Sequence, residues 1–132
     1  MFTHIRTSKE NKGIVSQLSR KLNLGTENII ARIALTYSLS KDRKLDIKDL
    51  QNSTGKEYSK AVLFGNYLDY YIGLVAVHYN LHITDKDLPK YIKMHIDDGL
   101  ESLNEEINSN SNVDGFDFLI TKIQTGIRAI NS

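Results

Sequence analysis

The stretch Leu24–Leu39 reads LGTENIIARIALTYSL, and it follows a basic segment of helical pattern, SKENKGIVSQLSRKLN (8–23). Two helices around a glycine turn are the layout of a helix-turn-helix, in which the second helix would enter the major groove. The side chains argue otherwise. Ile29, Ile30, Ala31, Ile33, Ala34, Leu35, Tyr37 and Leu39 spread around most of the cylinder. A helix that apolar has little face left for solvent or for DNA. The expectation is a central core or subunit-interface helix from a Thr26 cap to about Ser40. Only Glu27, Asn28 and Arg32 could meet DNA from its first turns.

The preceding helix starts at a Thr7 cap, with Glu10 three residues on in capping-box spacing. Ile14, Val15, Leu18 and Leu22 form its apolar stripe, and Lys9, Lys12, Ser16 and Arg20 fall opposite. Asn23-Leu24-Gly25 supplies the stop. Before it, Phe2–Thr7 alternates like a short strand. A lone terminal strand is not stable, so it is expected either to pair with the same strand of another copy or to fray.

Beyond the second helix, residues 41–60, KDRKLDIKDLQNSTGKEYSK, form a basic polar connection with one short helix around Ile47–Leu50 and a turn at Asn52–Gly55. VLFG (62–65) leads into a third long helix capped by Asn66, with Tyr67, Tyr70, Tyr71, Leu74, Val75, His78 and Leu81 at helical spacing. A fourth starts near Asp87, with Pro89 in its first turn. Ile92, Ile96, Leu100, Leu103 and Ile107 are its buried stripe, and Gly99 allows a close helix crossing. NSNSNVDG (108–115) is a loop, and a last helix over about Asp117–Ile130 is expected to bury Leu119, Ile123, Ile127 and Ile130. The fold class is therefore all-α: one compact helical domain over 1–132, of about five helices, with a short N-terminal strand as an added ribbon-helix-helix-like element.

The 132 residues carry 17 Lys+Arg and 16 Asp+Glu. Residues 1–66 hold 12 basic and 6 acidic side chains, whereas 67–132 hold 5 and 10. A basic half joined to an acidic half suggests two surfaces, one suited to a polyanion. There is no cysteine, which fits a cytoplasmic protein and excludes a disulfide, a thiolate metal site or persulfide chemistry within this chain. No run approaches the roughly 18 apolar residues of a membrane span.

No catalytic constellation emerges. His78 and His82 are an i, i+4 pair without the further ligands that zinc requires, so no metal and no cofactor is expected. Asp97-Asp98 with Glu101, and Glu105-Glu106, read as solvated charge on an outer helix face. The tyrosines of NYLDYYIGLVAVHY read as core and interface rather than as a base-stacking platform. The basic set is the better signal: Arg6, Lys9, Lys12, Arg20 and Lys21 before the second helix, and Lys41, Arg43, Lys44 and Lys48 after it. On one face they would track phosphates in a sequence-tolerant, salt-sensitive way.

The run LNLGTENIIARIALTYSL, then GKEYSKAVLFGNYLDYYIGLV and MHIDDGLESL, resembles the DndE family, the small subunit of bacterial DNA phosphorothioation systems. The resemblance extends from about Ile5 to Leu103, with Asn28, Arg32, Gly55, Lys56, Glu57 and Gly65 at family-like positions. It implies a small helical protein that self-associates, as a tetramer, and binds duplex DNA, nicked duplex above all. It also implies non-catalytic work beside a sulfurtransferase and an ATPase that install sulfur in the DNA backbone. Two rivals stand. A ribbon-helix-helix transcriptional regulator would turn His4 and Arg6 toward base edges, and a structural adaptor would bind no DNA.

Overall fold

The computed structural model describes residues 2–109, 121–125 and 127. Strand β1 (His4–Arg6) precedes α1 (Lys9–Leu22) and α2 (Glu27–Ser40); after the connection come β2 (Glu57–Ser59), α3 (Lys60–Phe64), α4 (Leu68–Tyr79) and α5 (Leu88–Ser109). Helix dominates, as the periodicity requires. No helix of the described residues is long and apolar enough to cross a membrane.

Strand β1 finds its partner within the chain rather than in a second copy. It pairs antiparallel with β2, Ile5 opposite Tyr58 and Arg6 opposite Glu57. Ile5 and Tyr58 turn inward, each 3% exposed. The junction is sealed by Gly55 N–H to the Thr7 carbonyl and Thr7 N–H to the Lys56 carbonyl, both 3.0 Å. Gly55 makes this possible, because a Cβ there would lie 2.1 Å from the Ser8 carbonyl oxygen.

That junction also moves the start of α1. Thr7 is committed to Lys56 through its hydroxyl, so Ser8 is the N-cap. No capping box forms; Glu10 instead accepts from Asn52 Nδ2 at 3.1 Å. Asn23, in the left-handed region at φ 52°, ends α1 ahead of Gly25. Asparagine tolerates that conformation better than most residues.

Helix α2 is central, burying Ile30, Ala31, Ala34, Leu35 and Ser38. It crosses α5 at Gly99, whose missing side chain lets the Ala34 backbone approach. VLF proves to be its own short helix, α3, capped by Ser59 Oγ accepting from Val62 N–H at 3.2 Å. A 3-10 turn over Gly65–Tyr67 then leads into α4, so Asn66 is not its cap.

Two expectations fail on burial. Asp97 is 1% exposed, not solvated; it accepts from Ser8 N–H at 3.1 Å, Asn11 Nδ2 at 2.7 Å and Lys93 Nζ at 2.6 Å. Elements pack on several sides of α5, so its buried surface is wider than the Ile92–Ile107 stripe. A buried carboxylate persists because three donors, one of them the charged Lys93, converge on it. Ile123 and Ile127, expected in the core, are 60% and 52% exposed. Leu119, Ile130 and the 110–115 loop lie outside the described residues.

Candidate nucleic-acid interface

Connection 41–56 closes back onto the start of α1. Asn52 holds both ends together: its Oδ1 accepts from Lys9 N–H at 2.9 Å and its Nδ2 donates to Glu10. Gln51 Nε2 meanwhile donates to Glu101 of α5 at 3.1 Å. The Gln51–Asn52 end of the connection thus sits beside Lys9. Arg20 and Lys21 sit at the far end of α1, roughly 18 Å from Lys9 at 1.5 Å per residue. There Lys21 Nζ donates to Asn108 at 2.9 Å.

The nine predicted residues separate by partner. Arg6 pairs with Glu57 at 3.0 Å and Arg43 with Asp98 at 2.8 Å. Lys41 lies over the Tyr37 ring, 4.7 Å from its centroid. Lys9, Lys12, Arg20, Lys44 and Lys48 are exposed and have no carboxylate partner among the described residues. Three carboxylates of the acidic half do not face open solvent: Asp98 faces Arg43, Glu101 faces Gln51 and Asp97 is inside. What sequence charge alone missed is this internal neutralisation.

Two of the family-like positions, Lys56 and Asn28, meet at the start of α2. Lys56 Nζ pairs with Glu27 at 2.5 Å, and Asn28 Nδ2 donates to the Val62 carbonyl at 3.1 Å. They tie β2 and α3 to α2, which leaves Lys56 neutralised. Beside Lys41, burial first and then the hydrogen bond to Glu106 push the Tyr37 hydroxyl up to about 12. Burial pulls Glu106 upward, but hydrogen bonds from Lys122 and Tyr37 outweigh it and hold the carboxyl below its usual value.

The two histidines of the i, i+4 pair engage separate partners. His78 Nε2–H donates to the Arg43 carbonyl at 2.7 Å, and His82 Nδ1 accepts from Thr84 N–H at 3.2 Å. Among the described residues no group of three or more His, Cys, Asp or Glu could hold a metal ion.

The second prominent surface is α4. Tyr67, Tyr70, Leu74 and Val77 are 58%, 76%, 49% and 82% exposed. Their spacing puts them on one apolar stripe with Gly73 between. The tyrosine reading thus divides. Tyr71 stacks on Phe64 at 4.9 Å, whereas Tyr67 and Tyr70 face outward.

The sequence model of the family described as DNA sulphur modification protein DndE matches residues 4–111. A crystal structure of DndE from Escherichia coli B7A, involved in DNA phosphorothioation modification, is 20% identical with a TM-score of 0.64. A crystal structure of a DndE mutant involved in DNA phosphorothioation is 22% identical with a TM-score of 0.65. Each alignment covers 78% of this chain and 98% of the other. No curated protein matches the chain.

Proposed function

From the premise that this chain belongs to the DndE family of DNA sulfur modification proteins, we propose that it is a non-catalytic subunit that binds duplex DNA through the phosphodiester backbone. Nicked duplex is the favoured form, and a sulfurtransferase and an ATPase supply the chemistry. One observation carries this reading. Lys9, Lys12, Arg20, Lys44 and Lys48 are exposed without a carboxylate partner among the described residues, while the carboxylates of α5 facing the connection are buried or engaged. Such side chains release counterions when they meet phosphates, so binding is salt-sensitive and tolerant of sequence.

The protein acts as a homo-oligomer, with a tetramer the state the resemblance implies. The exposed α4 stripe supports this. In an antiparallel pairing centred between Gly73 and Leu74, each Leu74 would lie over the partner's glycine and each Tyr70 over a valine. Exposed apolar surface on this scale marks an association site. Base reading by His4 and Arg6 finds no support, because Arg6 is held by Glu57 and β1 is paired internally.

Charge reversal tests the proposal. Replacing Lys9, Lys12, Lys44 and Lys48 with Glu should abolish binding to random-sequence nicked duplex in fluorescence anisotropy while leaving the helical circular dichroism unchanged. Undiminished affinity would remove this surface from DNA contact. Tight binding to a single operator sequence would instead favour a regulator.

A further inference from the structure

Side chains of α2, α4 and α5 that carry no part of the DNA reading form a chain of hydrogen bonds whose direction can be worked out. The Asp98 carboxylate, facing Arg43, can only accept, so Ser38 commits its single proton to Asp98 Oδ2 at 2.6 Å. Ser38 Oγ must then accept from His95 Nδ1–H at 2.8 Å. That leaves His95 Nε2 as an acceptor for the Tyr79 hydroxyl at 2.5 Å. Tyr79 Oη in turn accepts the backbone N–H of Leu45 at 2.9 Å. Every donor and acceptor along the chain is matched in one direction only.

His95 and Ser38 are buried, at 0% and 1% exposure. Burial first, and then neighbouring His78, hold the His95 imidazole down at about 4. The neutral imidazole that the chain requires is thus the form present near neutral pH, and its two hydrogen bonds select the tautomer. Stacking of Tyr79 on Tyr91, with centroids 3.8 Å apart, fixes the phenol independently of its hydroxyl.

The outer end of the chain is the basic connection. Arg43 is anchored by its side chain to Asp98 and by its carbonyl to His78, and Leu45 is anchored by its N–H to Tyr79. Exposed Lys44 lies between two residues whose backbone is pinned to the core. We propose that Tyr79 and His95 are positioning residues that hold Lys44 at a fixed height and angle for a phosphate of duplex DNA. This rests on the duplex-binding reading above. A loose lysine would lose conformational freedom on reaching a phosphate; a backbone pinned beforehand reduces that loss.

Tyr79→Phe in the full chain is the test, since it keeps the ring and its stacking and removes only the hydroxyl. Hydrogen exchange at the Leu45 amide should speed up by about tenfold, the loss of one hydrogen bond, while α5 amides keep their rates. Duplex affinity should fall in Tyr79→Phe while the salt slope stays that of the wild type, because Lys44 keeps its charge, whereas Lys44→Ala should lower the slope by about one unit. The double variant should bind no more weakly than Lys44→Ala alone. Unchanged exchange at Leu45, equal acceleration throughout α5, or additive losses in the double variant would each overturn the positioning role. Failure of the wild type to bind duplex at low salt would overturn the DNA reading and the role with it. Binding by the wild type with no change in Tyr79→Phe would overturn the role alone.

Discussion

Replacing Gly99 with alanine tests the α2–α5 crossing on which the core depends. A Cβ at this position would lie 1.9 Å from the Ala34 carbonyl oxygen, 2.4 Å from its carbon and 2.8 Å from its Cα. An ordinary contact begins at 3.4 Å, so α2 must retreat by about 1.5 Å. The obstacle is backbone, which cannot rotate away as a side chain could. A gap of that size forfeits a quarter to a half or more of each dispersion contact across the crossing. Overpacking of this kind costs about 3 kcal/mol, the top of its usual range. Alanine's better helix propensity returns about 1 kcal/mol. The net loss is about 2 kcal/mol, or a fall in Tm of about 6–10 °C for a chain of this size.

Gly13→Ala is the matched control, because a Cβ there meets nothing within 4 Å and the position lies inside α1. It should gain about 0.5–1 kcal/mol from propensity alone. Thermal and urea unfolding followed at 222 nm would read both variants. A Gly99→Ala protein as stable as the wild type would mean that propensity outweighs the crossing, and the reasoning would fail.

Stability should also fall on mild acidification. Folded His95 titrates at about 4 against a reference of 6.5, so the unfolded chain takes up the proton first. The contribution is complete above pH 6.5, declines as pH drops toward 4, and amounts to about 3 kcal/mol over that window; His95→Gln should flatten urea-derived stability between pH 7 and 5. Asp97→Ala strands Lys93 in the interior and frees Ser8 N–H and Asn11, so it should cost about 3–5 kcal/mol in chemical denaturation. A loss below about 1 kcal/mol would show that Lys93 reaches water. Leu74→Lys on the α4 stripe should lower the mass seen by light scattering without lowering Tm; an unchanged mass would place self-association elsewhere.

Much of the helical layout was legible because its residues repeat at helical period. Val15, Leu18 and Leu22 turned inward as the stripe required, and the all-round apolarity of α2 placed it centrally. The close crossing at Gly99 was also readable. Strand β2 and helix α3 were not, since three and five residues carry no period and their pairing is non-local. Asp97 was missed because a single stripe assumes one covered face; its spacing from Lys93, i to i+4, was the available sign of a buried pair. At the candidate interface the basic residues could be counted from the sequence. Which of them are neutralised could not, because Arg6 meets Glu57 and Arg43 meets Asp98 across more than fifty positions.

Salt dependence of duplex binding tests the central claim most directly. Plotted as log K against log salt concentration, binding of the wild type to random-sequence nicked duplex should be linear. Engagement of Lys9, Lys12, Arg20, Lys44 and Lys48 predicts a slope of about −4 to −5 per bound chain, at roughly 0.9 per phosphate neutralised. A slope near zero, or no binding at 50 mM salt where such contacts are strong, would contradict the account.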